Sequence, residues 1–110
     1  MLPNKIFEIR AEKHKESEVK LDKHFFVINV DHEAGEIVVE AYEYLGTETK
    51  PGGGKLKFVF RGESGIDLFR TILKYDLVTM LDHAAYLGYE LARAEECLKS
   101  GKKYVQDENG

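Results

Sequence analysis

Segments in which apolar and polar residues alternate occupy the first part of the 110-residue chain, and such alternation predicts β-strands. These segments are residues 5–11, 25–30, 36–44 and 55–61. In the second of them, Phe26, Ile28 and Val30 share one face, whereas Phe25 and Val27 lie on the other. Because both faces of this strand are largely apolar, we expect it to be covered on both sides.

Turn-forming and charged residues separate the strands. Residues 31–35 (DHEAG) predict a hairpin turn in which Asp31 bonds the backbone and Gly35 adopts a positive φ. Residues 46–54 contain a proline and three consecutive glycines, which predict a flexible loop between two strands. Residues 12–23 are mostly charged and predict a solvated connection.

After residue 61 the spacing of apolar residues becomes that of helices. Ser64 is expected to cap a first helix that extends to about Tyr75. Asp76 is expected to cap a second helix over residues 77–99, which Gly101 ends. The first helix is expected to bury Ile66, Phe69, Ile72 and Leu73, and the second Leu77, Leu81, Ala84, Gly88, Leu91 and Leu98.

The order of these elements, strands first and helices afterwards, predicts an α+β fold. We expect a small antiparallel sheet of three to four strands, followed by two helices that pack on one of its faces. The length of the chain is typical of one domain, so residues 1–110 are expected to form a single unit.

Composition excludes some classes of function. The formal net charge is −4, which argues against a general nucleic-acid binder because such a protein needs a basic surface. No apolar run is long enough for a membrane span, and a single cysteine, Cys97, forms no internal disulfide. A cytoplasmic location is the resulting expectation. Abundant lysine and glutamate, with few heat-labile residues, favour a thermophilic source.

The second predicted helix carries an unusual polar stripe. Two sets of residues keep to one side of the helix: Asp82, Tyr86, Tyr89 and Arg93 by i, i+4, i+7, i+11 spacing, and His83, Tyr86 and Glu90 by i, i+3, i+7 spacing. In a functional interpretation, His83 is a general base or metal ligand with Glu90 as its partner. In a structural interpretation, the His83 ring packs at the edge of the sheet. The four histidines lack the spacing of a metal site, so no metal is predicted.

Two further features suggest binding. Ser64 and Gly65 begin a helix directly after a strand, where free backbone N–H groups could hold an anion, although a simple helix cap is the commoner explanation. Phe7, Phe25, Tyr42 and Tyr44 add aromatic area to the predicted sheet. If this aromatic area is uncovered, it marks a partner or dimer interface. Alternatively, the long helix and the N-terminal strand cover it.

Two stretches carry a resemblance to a known family. Residues 77–91 (LVTMLDHAAYLGYEL), followed by Tyr104, Gln106 and Asp107, resemble an uncharacterised domain family, and the 25–42 hairpin is similar too. That family occurs alone in archaea and bacteria, or at the C-terminus of proteins related to dihydropteroate synthase or to one subunit of tetrahydromethanopterin S-methyltransferase. The resemblance covers about residues 24–107 and implies a link to pterin, cobamide or one-carbon metabolism.

The sequence differs from this family pattern at two positions. Ala41 stands where relatives often carry histidine, and Tyr89 stands where arginine is common. A ligand role of those positions in relatives therefore does not transfer to this chain.

Three functions remain open from the sequence, and neither a cofactor nor a catalytic residue is specified. The first is a non-enzymatic binding or accessory module for a pterin or one-carbon pathway, with a ligand or protein held by one polar edge. The residues of that edge are Asp82, His83, Tyr86, Glu90, Tyr104, Gln106 and Asp107. The second is a homodimer or larger assembly that uses the sheet face. The third, ranked last, is a small enzyme with His83 as its base and Glu90 or Asp82 as its orienting partner.

Overall fold

The computed structural model describes residues 23–46 and 52–107. Three strands, β1 (His24–Asp31), β2 (Glu36–Tyr44) and β3 (Gly54–Gly62), precede two helices, α1 (Gly65–Lys74) and α2 (Leu81–Ser100). The strands form an antiparallel sheet in the order β1-β2-β3. The predicted α+β fold is therefore confirmed. The predicted 5–11 strand, residues 12–22 of the predicted connection and part of the 46–54 loop lie outside the described residues.

The pairing register assigns each strand residue to one of two faces of the sheet. Ile28 lies opposite Val39, and Val39 lies opposite Phe60, so these three side chains share a face. This face packs against both helices and forms the core together with Ile72 on α1 and Leu91 on α2. A register shift between Ala41 and Tyr42 marks an irregularity in the β2–β3 pairing.

The other face of the sheet differs from the prediction that β1 is covered on both sides. Phe25 is exposed, and so are Leu56 and Val59 on β3. Within the described part of the chain, both helices contribute to the one core beside the Ile28 face. Among the described residues, those of the second face lie outside this core, and we call this surface the open face.

The turns and helix ends follow the predicted chemistry. Asp31 Oδ1 accepts a 3.1 Å hydrogen bond from the Ala34 N–H, and Gly35 adopts a φ of 70°. Ser64 caps α1 by accepting a 3.3 Å hydrogen bond from the Asp67 N–H. Gly101 ends α2 in the left-handed conformation, which its lack of a Cβ permits.

The predicted face of α1 is partly wrong. Leu68 and Ile72 are buried, whereas Ile66 is 53% exposed and Leu73 is also exposed. Gly65, Leu68 and Ile72 follow a helical spacing just as Ile66, Phe69 and Leu73 do, and the packing of α1 against α2 selects the first set. Gly65 makes this packing possible because a Cβ there would lie 2.7 Å from the Leu91 carbonyl oxygen.

The predicted beginning of α2 is also wrong. The helix begins at Leu81 instead of residue 77, and Met80 occupies the N-cap position without a side-chain hydrogen bond. Asp76, predicted as the cap, adopts a positive φ of 58° and redirects the chain. Leu77 and Val78 therefore enter the core from the connection between the helices, while Leu81 is exposed.

Candidate functional site

The residues after α2 fold back over the helix and reach the outer edge of β1. Tyr104 is buried in the core, and Gln106 bonds the β1 backbone. We call residues 102–107 the tail. It brings Tyr104, Gln106 and Asp107 next to Tyr86 and Glu90, so these five of the seven predicted polar residues lie together.

Glu90 lies at the centre of this group and is fully buried. Its Oε1 accepts hydrogen bonds from Tyr104 Oη at 2.7 Å, from Arg93 Nη1 at 2.6 Å and from the Asp107 N–H at 3.3 Å. Its Oε2 has no hydrogen-bond partner among the described residues. A buried carboxylate is tolerated only when donors compensate its lost hydration, and here the donors concentrate on one oxygen.

Arg93 neutralises the buried carboxylate. Its guanidinium lies near the rings of Tyr89 and Tyr104, 5.9 Å and 5.5 Å from their centroids, and Nη2 donates to the Val105 carbonyl at 3.2 Å. Burial alone lowers the pKa of Arg93, but Glu90 more than offsets this effect and the pKa rises. The side chain therefore remains a cation that ties α2 to the tail.

The hydroxyl of Tyr104 remains protonated for two physical reasons. Burial is the larger cause, and the neighbouring Glu90 carboxylate adds to it, so the pKa of Tyr104 lies far above that of a free tyrosine. A protonated hydroxyl can donate to Glu90 but does not serve as a base near neutral pH.

Gln106 takes the place of a strand residue beside β1. Its Nε2 donates to the Phe26 carbonyl at 2.9 Å, and its Oε1 accepts from the Ile28 N–H at 2.8 Å. The same Nε2 donates to Tyr86 Oη at 2.9 Å, and Tyr86 in turn donates to the Asp107 carbonyl at 2.5 Å. The side-chain amide thus satisfies backbone groups that an edge strand otherwise presents to solvent.

Asp82 and His83 lie in the first turn of α2, and both are exposed. Asp82 Oδ1 accepts a 3.0 Å hydrogen bond from the His83 N–H. Glu90 bonds Arg93 and the tail, so it is not the orienting partner that the enzymatic interpretation assigned to His83. No group of three or more potential metal ligands occurs within residues 23–46 and 52–107.

The predicted anion position at the start of α1 is filled by the chain's own carboxylate. The Gly65 N–H donates to Glu95 Oε1 at 2.7 Å, while Glu95 Oε2 accepts from Lys99 Nζ at 2.8 Å. Lys99 is the larger cause, and the Gly65 N–H the second, of a lowered pKa for Glu95. These contacts join the two helices at their crossing point.

Two participants in these contacts were not among the predicted site residues: Arg93, which belongs to the polar stripe of the second helix, and Glu95. A signal for each was present, because Glu90 and Arg93 have i, i+3 spacing and Glu95 and Lys99 have i, i+4 spacing. Such pairs are common on solvated helices, so spacing alone did not distinguish these from ordinary surface ion pairs.

The open face supplies the second feature of interest. Four rows of side chains cross it, as the pairing register shows. They are Phe25–Tyr42–Leu56, Val27–Glu40–Val59, Asn29–Val38–Arg61 and Asp31–Glu36. The surface is thus apolar at one end and charged at the other, where Arg61 lies 3.8 Å from Asp31 and 3.5 Å from Glu36.

Two aromatic rings stack at the apolar end of the open face. The rings of Phe25 and Tyr42 stack with centroids 5.3 Å apart and an interplanar angle of 9°. The Tyr42 hydroxyl donates to Glu40 Oε1 at 3.2 Å. Phe7, which was predicted to contribute here, lies outside the described residues.

Comparison with known proteins identifies the family. The model of the PterinBD-DUF4346 family matches residues 21–107, which include the whole sheet, both helices and the tail. The chain belongs to the PterinBD-DUF4346 family. The matched region agrees closely with the range over which the sequence resembled an uncharacterised family.

Two relatives of this PterinBD-DUF4346 chain differ in length. "Uncharacterized protein MJ0107" of Methanocaldococcus jannaschii is 37% identical over 87 residues, which are 79% of this chain but only 15% of that protein. The "Ycf91-like protein" of a Nostoc species is 36% identical over 101 residues, which are 76% of this chain and 80% of that protein. No solved structure matches the chain. Among the described residues, no helix has the length and apolarity required to cross a membrane.

Proposed function

We propose that this chain is a non-enzymatic accessory module of pterin-dependent one-carbon metabolism that binds a protein rather than a metabolite. The proposal rests on one observation: the polar residues of the predicted site form hydrogen bonds within the protein itself. Tyr86, Glu90, Tyr104 and Gln106 bond one another, Arg93 and the backbone, so apart from Glu90 Oε2 their hydrogen bonds serve the fold.

The pterin link is supported by the family description and by the resemblance of residues 77–91 to domains beside pterin-related proteins. In the M. jannaschii relative, a segment like this one is a small part of a much longer chain. A module that is fused in one protein and forms most of another, as in the Nostoc relative, is typical of accessory domains.

The test combines two measurements on the intact chain. Fluorescence titration with 7,8-dihydropterin and with tetrahydrofolate should show no saturable binding. Native mass spectrometry with the purified pterin-binding protein encoded in the same genome should show a complex. Saturable pterin binding that Tyr86→Phe and Glu90→Gln abolish without unfolding would instead establish the metabolite-binding function.

A homo-oligomeric assembly is the second candidate, and the exposed apolar residues of the open face favour it. Phe25, Leu56 and Val59 form part of such a surface. Light scattering after gel filtration distinguishes it, since a stable dimer of the isolated chain supports assembly and a monomer supports the accessory function.

A further inference from the structure

We infer that the open face is the surface by which this module docks onto a pterin-binding protein domain, and that the partner places a cationic side chain opposite Glu40. This inference rests on the proposed function and adds the surface and the chemistry of the partner. The interface would have an apolar centre formed by Phe25, Val27 and Val59, with one carboxylate among them.

The composition of the open face is that of a protein interface. Phe25, Tyr44, Leu56 and Val59 are all exposed, and the Phe25 and Tyr42 rings stack at the apolar end. The charged residues Asp31, Glu36 and Arg61 lie at the other end of the sheet. An apolar and aromatic centre bordered by polar residues is the usual anatomy of interfaces between protein partners.

Glu40 indicates what the partner must supply. It lies between Val27 and Val59 in the register, and its Oε1 accepts from the Tyr42 hydroxyl. Burial, followed by the effect of Glu40, raises the pKa of Tyr42, so this hydroxyl remains a donor. A docked protein would remove Glu40 from water, and a lysine or arginine of the partner would compensate that loss.

The same carboxylate argues against a second copy of this chain as the occupant. In a two-fold symmetric interface, residues near the centre of the patch face their own copies. Glu40 of one copy would then approach Glu40 of the other. At the charged end, each copy has two carboxylates, Asp31 and Glu36, for the one guanidinium of Arg61 that lies between them. Like charges in a desolvated interface oppose association.

The M. jannaschii relative favours a protein domain as the partner, because a similar module lies within that much longer chain. The matched segment is 15% of that protein, so a similar module is covalently linked to a large remainder. A tethered module has a high effective concentration beside the rest of its chain, and interfaces between such domains are typically about 600–1,500 Å². The family description refers to pterin binding, which favours a pterin-binding domain as the associated unit.

The experiment measures binding between the intact chain and the purified pterin-binding protein of the same genome by isothermal titration calorimetry. Three variants are compared with wild type. Phe25→Ser combined with Val59→Ser removes apolar contacts, and Glu40→Gln removes the charge. Leu81→Ser is the matched control, because Leu81 is an exposed apolar residue at the start of α2.

The double variant should weaken binding by about tenfold or more, since central apolar residues dominate interface affinity. Glu40→Gln should weaken binding and reduce its dependence on salt concentration. Leu81→Ser should bind as wild type does. Circular dichroism spectra that match wild type show that the variants are folded.

Each contrary result has a separate meaning. A wild-type complex that the open-face variants leave unchanged overturns this inference and leaves the proposed function intact. Failure of the wild-type chain to form any complex overturns both. A photo-crosslinker at position 25 should capture the partner, whereas capture of a second copy or of residues 1–20 identifies another occupant and overturns the inference.

Discussion

At the scale of single residues, buried charge is the feature that decides the behaviour of the tail. Glu90 has no exposure to solvent, and three donors reach one of its oxygens. Removal of one donor leaves the carboxylate less compensated, which costs more than the lost hydrogen bond alone. The donors from Tyr104 and Arg93 are therefore expected to contribute measurably to the free energy of unfolding.

Tyr104→Phe should lower the free energy of unfolding by about 1–3 kcal/mol, because the buried carboxylate loses the hydroxyl that lies 2.7 Å away. Urea denaturation measures the change. Tyr89→Phe is the control, since the Tyr89 ring is exposed, and it should change stability by less than about 0.5 kcal/mol. Equal effects of the two substitutions would contradict the role assigned to the Tyr104 hydroxyl.

The raised pKa of Tyr104 predicts a loss of stability in alkali. The unfolded chain releases this proton near pH 10, whereas the folded chain retains it because burial and then Glu90 oppose ionisation. The folded state then binds more protons, so stability is complete below pH 10 and falls as pH rises above it. Absorbance at 295 nm should show one tyrosine ionising only on unfolding, and Tyr104→Phe should remove that step.

Glu95 predicts the opposite dependence in acid. Lys99 and then the Gly65 N–H lower the pKa of this carboxyl, so the folded state binds its proton more weakly than the unfolded state. Its stabilising effect is present above the pKa of the unfolded chain and disappears as pH falls through the lower, folded pKa. Glu95→Gln should therefore be less stable than wild type at pH 7, and thermal melts should show the difference shrinking in acid.

At the scale of elements, the two helices approach each other very closely at Gly65 and at an ordinary contact distance at Gly88. A Cβ at Gly65 would lie 2.7 Å from the Leu91 carbonyl oxygen, whereas a Cβ at Gly88 would lie 3.6 Å from the Phe69 ring. Gly65→Ala should destabilise the fold by about 1–3 kcal/mol through overpacking. Gly88→Ala should be neutral or stabilise by up to about 1 kcal/mol, because alanine favours the helix. Chemical denaturation of both variants tests the pair.

The tail behaves as an additional element of the sheet through Gln106. Gln106→Ala should accelerate hydrogen exchange of the Ile28 N–H, whose acceptor is Gln106 Oε1. Val105→Ala should leave that exchange unchanged, since the Val105 side chain is exposed. An Ile28 amide that exchanges at the same rate in wild type and both variants would show that the tail does not protect β1.

At the scale of the whole molecule, the two faces of the sheet should respond differently to the same substitution. Val39 is fully buried beneath the helices, whereas Val59 on the neighbouring strand is 49% exposed on the open face. Val39→Ala should cost about 2 kcal/mol through lost burial and a cavity. Val59→Ala should cost less than about 0.5–1 kcal/mol in the isolated chain. Equal losses in urea denaturation would contradict one-sided packing.

Local sequence signals predicted most of the fold. Period-two alternation located all three described strands, and Ser64 and Gly101 marked helix ends through chemistry that acts within a few residues. The face of α1 could not be predicted in the same way, because Ile66 and Leu68 belong to overlapping helical stripes. Only contact with α2 decides between them.

The candidate site was predicted in part for the same physical reason. The spacing of Tyr86 and Glu90 placed them on one side of a helix, but no periodicity indicates that the tail returns to them. Gln106 reaches Ile28, which is 78 residues away in sequence, and such a contact depends on the assembled core. The sequence pattern thus placed Tyr86 and Glu90 on one side of a helix, whereas their contacts with the tail depend on the folded chain.

The Gln106 amide has a consequence for the behaviour of the protein in concentrated solution. The unpaired backbone groups of an edge strand can hydrogen-bond with a strand of another chain. Repeated pairing of this kind builds fibrils. At β1, two of those groups are already occupied by Gln106. Proteolytic removal of the tail would therefore do more than loosen the fold, because it would leave the Phe26 carbonyl and the Ile28 N–H without the amide that bonds them and would favour self-association along β1.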